Sequence, residues 1–480
     1  MEHISETLIA QSNFGDARLS KRFGKIITEL GSNIGKSIPQ SSVNTHQTKA
    51  VYRFMDNEQV TPSKILDAEQ LRVYHEIIAD NPAVLVQIQD TTTLNYSHSK
   101  ANKHLPCLNY STHLGYFAHS SLLMNDKGIL YGLQEQDYYG RDVATLGQKG
   151  RRITSMEKSS PIETKEIDRW LRHFDSFQSL MSTLPKIQGL SVSDRESDIY
   201  ELFALKKLPN VDIIARCQHD RFVAQCDKTD AQLLSLIAQT PSHGHQFIDV
   251  LMKNNKHHTR QVQLEVRFYP MAIQIPETLR YSSATPKGTK KWAKDNPSVS
   301  IYCVQVKEIN PPDDVEPIEW TLLTTKKVTN YWDAIEIVRI YALRWRIEIF
   351  HLVLKEGCAV EKLQLETPER LLNAIATYSI IAAQITKLRY FATCDPTAPM
   401  TVSGFTTKEH NILVNYLNIN HLFKLPIQKK QDTPTIKDFL QLIAFLGGGK
   451  KNNEWGIRAL WIGWNKADTI FKTIKAIESS

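Results

Sequence analysis

The sequence predicts an α/β protein with a strand-rich middle and helical ends, and three observations carry that prediction. Apolar residues recur at helical spacing in residues 16–30, β-branched runs such as AVLVQIQD (83–90) recur as far as residue 325, and helical spacing returns after Asp333. With 480 residues, 41% hydrophobic and 23% charged, the chain can bury a large core and is not of disordered composition. Its net charge of +7 suits a nucleic-acid partner but is shared by many unrelated proteins. Six scattered cysteines without a CxxC pair argue against a disulfide framework or a zinc site and point to a reducing compartment. The opening MEHISETLIAQ shows no signal region, and residues 371–385, the longest apolar stretch, look too short and too polar to span a bilayer. A soluble, cytoplasmic protein with no membrane partner is expected.

In residues 16–30, Leu19, Phe23, Ile26, Ile27 and Leu30 form an apolar stripe, and Arg18, Lys21, Arg22 and Lys25 a basic one. Asp16 is the expected N-cap. Beyond Gly35 and Pro39, residues 41–54 suit a second helix carrying His46, Lys49 and Arg53. Two short helices joined by a Gly/Pro turn, one with a basic face, have the form of a small DNA-binding module. A solvated amphipathic helix explains the same pattern equally well.

Residues 83–96 (AVLVQIQDTTTLNY) open as a buried strand that reaches Asp90. Residues 119–126 and 128–139 suit a hairpin turning at 125–128. A helix is expected over 165–181, with Ile167, Trp170, Leu171, Phe174 and Phe177 inward, and a short strand over 187–194 closes on Asp194. From Arg216 to about residue 325 the pattern is again that of strands (QVQLEVRFYP, VSIYCVQVKEI, PIEWTLLTT), with polar loops between them. One such loop holds His257 and His258, which suit solvent or phosphate contact better than catalysis. GGGK at 447–450 lacks the spacing of a phosphate-binding loop.

Residues 341–355 (YALRWRIEIFHLVLK) are the most unusual stretch. As one continuous helix, they would bring Tyr341, Arg344, Glu348 and Lys355 onto one face, although the stretch is mostly apolar. Such a face suits a metal-binding carboxylate beside groups that grip phosphate. Together with Asp90 and Asp194 it offers three carboxylates, enough for two hard divalent cations that keep water and phosphate oxygens as further ligands. Each carboxylate also has an ordinary structural explanation. Asp90 could cap a turn, Asp194 competes with Asp198 in DRESD for a helix cap, and Glu348 could pair only with Arg344.

On these residues the chain resembles the bacterial insertion-sequence transposases of the DDE type that carry a Y-R-E-K signature. Tyr341, Arg344, Glu348 and Lys355 meet the Y-x2-R-x3-E-x6-K spacing, DRESD stands where the family has a DREAD-like segment, and IQDTTTLNY carries the first acid. KEIDRWL, EINPP, the EW of residues 319–320 and the terminal WGIRALWIGW extend the similarity nearly end to end. Tyr138 and Tyr139 replace the family's paired tryptophans.

The resemblance implies an RNase H-like catalytic core (76–365) with a β-rich insertion near 220–328, a helical DNA-end-binding domain (1–75) and a helical C-terminal dimerisation domain (366–480). It assigns Asp90, Asp194 and Glu348 as catalytic metal ligands for two Mg²⁺ ions, with Mn²⁺ able to substitute. Candidates for contact with DNA or phosphate are Tyr341, Arg344, Lys355, Trp320, Trp345 and Arg216, with the N-terminal Arg18, Lys21, Arg22, Lys25, His46, Lys49 and Arg53. In relatives a tryptophan matching Trp320 wedges into DNA at a flipped base, though a strand-face aromatic is an equal alternative here.

The expected partners are double-stranded transposon ends and target DNA, bridged by a homodimer in a cytoplasmic, nucleoid-associated complex. Trp455, Leu460, Trp461 and Trp464 could bury against a second copy or within their own domain. The implied activity is cut-and-paste transposition through a hairpin. The alternatives are a nuclease without strand transfer and a non-catalytic DNA-binding regulator.

Overall fold

In the computed structural model, the N-terminal apolar stripe is the buried side of a helix packed among its neighbours. The structure describes residues 2–99, 104–141, 168–224, 231–251, 259–276, 297–313, 315–403, 405–420, 433–449 and 456–478. His257, His258, Ile167, Lys450 and Trp455 lie outside these residues. Two compact units form, the first from Met1–Asn81, Thr91–Leu146 and Arg346–Ser480, the second from Pro82–Asp90 and Gly147–Trp345. Both ends of the chain thus enter one unit, a division that cuts across the consecutive segments 1–75, 76–365 and 366–480.

The first unit begins with α1 (Glu2–Gln11), α2 (Ala17–Gly31), α3 (Ile38–Ser41), α4 (Thr45–Met55) and α5 (Pro62–Asp80). Asp16 caps α2 by accepting from the Arg18 N–H at 2.8 Å, and Asn44 caps α4 by accepting from the Gln47 N–H at 2.9 Å. Phe23, Ile26, Ile27 and Leu30 are buried, whereas Leu19 is half-buried. The rings of Phe14, Phe23 and Phe54 meet at 5.5 to 5.9 Å and join α2 to α4. Helix α5 escapes a reading by periodicity because its inner face carries charge. Glu69 is fully buried there, with Arg72 paired to it at 2.7 Å.

Next come β1 (Val84–Asn95), β2 (Gly115–Asn125) and β3 (Leu130–Tyr139). The last two form the expected hairpin, with the Gly128 N–H donating to the Asn125 carbonyl at 2.9 Å. Strand β1 changes unit after Asp90, and its distal residues 91–95 belong with the hairpin.

The second unit continues with α6 (Asp168–Ser182), β4 (Gln188–Ser193), α7 (Tyr200–Ala204) and β5 (Val211–Arg216). Strands β1, β4 and β5 are parallel neighbours. One face of this trio packs on α6, where Gly189 faces Phe177 and Met181. On that face Ser191 Oγ donates to Gln87 Oε1 at 2.7 Å, Gln89 Nε2 donates to Gln87 Oε1 at 2.9 Å, and Gln87 Nε2 donates to the His173 carbonyl at 2.9 Å.

The strand-rich region follows as β6 (Phe222–Ala224), β7 (Ala231–Gln232), α8 (Leu233–Gln239), β8 (Gly244–Leu251), β9 (Thr259–Gln274), β10 (Ser298–Glu308) and β11 (Glu319–Thr324). It extends the sheet antiparallel in the order β5-β11-β10-β9-β6-β7, with β8 also on β9.

The remaining helices are α9 (Tyr331–Ala342), α10 (Trp345–Leu352), α11 (Pro368–Cys394), α12 (Thr407–Ile419), α13 (Ile436–Leu446) and α14 (Ile457–Glu478). Here the expectation about length needs correcting. Helix α11 has 27 residues, about 40 Å at 1.5 Å per residue, and is long and apolar enough to cross a bilayer. Its polar flanking turns hid that length, but 83% of its most apolar window is buried within the fold, as in a core helix.

Leu460, Trp461 and Trp464 are buried within their own unit. Trp464 Nε1 donates to the Gly31 carbonyl at 3.1 Å, and Asn465 bonds both backbone groups of Ile34 at 2.9 and 2.7 Å. At Gly463 an added Cβ would lie 1.7 Å from the Ile443 carbonyl oxygen, so only glycine lets α13 and α14 approach this closely.

Replacing Phe54 by alanine should cost about 3–5 kcal/mol, read as a shift of the first urea transition. A second expectation concerns pH. The Arg260 guanidinium bonds both carboxylate oxygens of Glu308 and holds its pKa below the ordinary value, with burial opposing. A depressed folded pKa gives stability that is present above the unfolded value of about 4.3 and is lost as pH falls through the folded one. Glu308→Gln should therefore lower stability at neutral pH and flatten the acid limb of melts recorded at stepped pH.

Candidate functional site

The sheet register brings two of the three candidate acids together. The last aligned pair of β1 and β4 is Ile88 with Val192, so two residues on, Asp90 within β1 and Asp194 just past the end of β4 stand at one level. Ser193 pairs with Ala215 in β5, which makes Arg216 the next in that row. Alternation of side chains puts all three on one face, opposite Gln87, Gln89 and Ser191, with adjacent strands about 4.8 Å apart. Trp320 shares the face, since Leu322 pairs with Arg216 and β11 runs antiparallel beyond it.

Tyr341 and Arg344 close over this row. Arg344 Nη1 lies 3.3 Å from Asp90 Oδ2, with both side chains largely buried. The Arg344 guanidinium is 6.0 Å from the Tyr341 ring and 5.6 Å from that of Trp345, which is half-exposed. Trp320, half-buried, meets Tyr341 edge-on at 5.3 Å. The Arg344 and Arg216 side chains lie close enough to the Tyr341 hydroxyl to act on its charge. Burial pushes the Tyr341 pKa up, the two guanidiniums pull it back, and the charge of Asp194 adds to the rise. Burial lowers the Arg216 pKa, Tyr341 opposes, and the nearby Arg195 and Arg344 lower it further. Tyr341 thus keeps its proton at neutral pH, a neutral hydroxyl among cations.

The single helix expected over 341–355 is not formed. Tyr341 belongs to the end of α9, and the N–H groups of Leu343 and Arg344 donate back three residues, to Ile340 at 3.1 Å and Tyr341 at 3.0 Å. Glu348 lies in the eight-residue α10, and Lys355 in a π-helical turn, Val353–Gly357, closed by the Cys358 N–H on the Val353 carbonyl at 2.7 Å. The four residues therefore occupy four local conformations. Tyr341 and Arg344 belong to the second unit, Glu348 and Lys355 to the first.

DRESD resolves into two different aspartates. Asp198 is 1% exposed and accepts from the N–H groups of Gln218 at 2.7 Å and His219 at 3.0 Å and from Arg221, so it ties the loop after β5 to the sheet. Asp194 is half-exposed, caps the short turn by accepting from the Glu196 N–H at 2.9 Å, and stays on the face with Asp90. Its capping role and its place in the row coexist.

In the first unit Lys355 Nζ donates to the Thr93 carbonyl at 2.8 Å and lies 3.6 Å from Glu361. These residues line an open cleft of about 630 Å³ with Asn95, His98, Ser99, Lys362 and Gln364. Glu361 also accepts from the Asn95 N–H at 2.7 Å. Sequence reasoning missed Glu361, and it missed Gln87 and Gln89. Only the last two carried a signal, as two amides inside an apolar strand. Tyr138 donates to Gln136 at 2.6 Å and Tyr139 stacks on Phe117 at 5.1 Å, so both are held locally.

The N-terminal cations are exposed: Arg18, Lys21, Arg22 and Lys25 on α2, and His46, Lys49 and Arg53 on α4. Arg18 is partly occupied by Asp16 at 2.9 Å. Apolar residues inward and cations outward are what a phosphate-reading surface requires. Residues 1–60 match the transposase DNA-binding family. The match supports a transposase with DNA as its partner, and it spans α1 to α4 with the whole basic surface.

Lys21→Ala with Arg22→Ala should weaken binding to duplex DNA at every salt concentration. The slope of log affinity against log salt should fall by about 1 for each phosphate that the variant no longer neutralises. An unchanged slope in a salt-titrated anisotropy assay would place the DNA elsewhere.

Proposed function

We propose that the chain is a DDE-type DNA transposase on an RNase H-like core, cutting transposon ends through a hairpin and joining them to target DNA. The observation that carries this reading is that Asp90, in β1 two residues past its last pairing with β4, stands level with Asp194 just beyond the end of β4 on the same sheet face, in a chain with a transposase DNA-binding match. The parallel order β1-β4-β5, with an antiparallel hairpin beside distal β1, supports the core assignment.

The donor set fits a hard divalent cation. Asp90 and Asp194 offer oxygen ligands from one face of the sheet, and Glu348 on α10 is the proposed third carboxylate. Two Mg²⁺ ions, or Mn²⁺ in their place, would when bound supply the Lewis acidity that phosphoryl displacement needs.

The chain's own groups orient the DNA. Arg344 presents a planar fork already held against the acidic row, suited to a non-reacting phosphate oxygen. Tyr341, protonated at neutral pH, donates beside it, and Arg216 completes the cationic edge. Lys355 serves as a point charge on the strand. Trp320 and Trp345 are the proposed aromatic partners for an unstacked base. Residues 1–75 would bind the transposon end and residues 366–480 would dimerise, bridging two ends near the nucleoid in the cytoplasm.

The test uses donor DNA carrying the element's ends and a supercoiled target. Wild type should nick, form the hairpin and transfer strands only with Mg²⁺ or Mn²⁺. Asp194→Ala should drop all three steps to background while end binding in a gel shift is kept. Cleavage without joined products would favour a nuclease, and metal-dependent cleavage surviving Asp194→Ala would sink the site assignment.

A further inference from the structure

We infer that Arg346 is a positioning residue: held against the Gly128 turn and the Tyr390 ring, it sets the rotation of α10 and hence the direction of Glu348. The inference rests on the reading of Glu348 as a metal-binding carboxylate.

Helix α10 has only eight residues, preceded by the bend at Leu343 and Arg344 and followed by the π-helical turn. No regular helix continues on either side to hold its rotation. Ile347 and Phe350 are buried and seat it on the core, but apolar contacts are weakly directional.

Arg346 supplies the directional contact. Its guanidinium lies 4.3 Å from the centre of the Tyr390 ring, and Nη2 donates to Cys394 Sγ at 3.4 Å, both on α11. The guanidinium also packs on the Gly128 turn, where an added Cβ would lie 1.8 Å from Nη1 and 2.2 Å from Cζ. With φ +84°, that turn suits glycine for its backbone as well as for the space it leaves.

Nε and Nη1 of Arg346 are buried and find no hydrogen-bond partner among the described residues, a cost that simple space filling would avoid. Stacking on Tyr390 offsets it. Two residues on, Glu348 lies roughly 200° around the helix from Arg346, so any turn about this clamp swings the carboxylate. Arg346, Gly128, Tyr390, Cys394 and Glu348 all belong to the first unit.

The test is Mn²⁺ binding to the full-length protein, with the metal alone as probe and free ion counted by electron paramagnetic resonance. Arg346→Ala and Tyr390→Leu should weaken Mn²⁺ binding roughly ten- to hundredfold, as removing a group that supports a metal ligand does. Arg346→Lys should recover part of it, and Tyr390→Phe, which keeps the ring, should match wild type. Gly128→Ala should weaken binding with Arg346 still present.

Unchanged circular dichroism certifies the fold of each variant, and if Arg346→Ala fails to fold, Tyr390→Leu and Gly128→Ala decide. Wild-type affinity in folded Arg346→Ala or Tyr390→Leu overturns the positioning role. A Glu348→Ala variant that binds Mn²⁺ like wild type overturns the metal reading itself, which separates the two failures.

Discussion

The register of β1 against β4 is the constraint on which the acidic row depends. Side chains alternate along a strand, so a slip of one residue would send Asp90 to the α6 face and part it from Asp194. The slip is opposed on that same face. Gln87, Gln89 and Ser191 are almost completely buried and satisfy one another across the two strands, with the His173 carbonyl closing the set. A shifted register would break the bonds of Ser191 to both amides, and a buried polar group left unsatisfied costs about 1–3 kcal/mol. Valines there would bury as well but would accept several registers. The polar pairs trade some stability for a single alignment.

A second constraint is the broken helix after Tyr341. A continuous helix would carry tyrosine, arginine, glutamate and lysine as one rigid face. The bend at Leu343 and the π-helical turn at Lys355 instead deliver Tyr341 and Arg344 to the unit that holds Asp90 and Asp194. Glu348 and Lys355 go to the unit that holds distal β1 and the N-terminal helices. Strand β1 and helix α10 each have residues in both units.

The N-terminal helices are held by the far end of the chain. Asn373 donates to the carbonyls of Met55 and Val60 at 2.9 and 3.0 Å, and α14 clasps the residues just after α2 through Trp464 and Asn465. The C-terminal aromatic residues thus use their apolar surface inside their own unit. The basic residues of α2 and α4 stay on the outside because the opposite faces of the same helices are spent on Phe14, Phe23 and Phe54.

Much of this was legible in residue order. Period-two runs ending in Asp90 and Asp194, the hairpin at 125–128, and the split of α2 into apolar and basic stripes are local patterns, and local patterns survive in one dimension. Helix α5 was not legible, because Glu69 and Arg72 occupy its buried face and erase the apolar period. The choice between Asp194 and Asp198 was not legible either, since both acids suit a cap and only the loop packed on Asp198 sets them apart. By itself the sequence determined which residues carry charge, which ones alternate, and that a basic helical segment precedes a strand-rich middle. The tertiary structure alone decided which strand lies beside which, and so which charges meet, because pairing between distant segments is set by burial and hydrogen-bond satisfaction that no short stretch encodes.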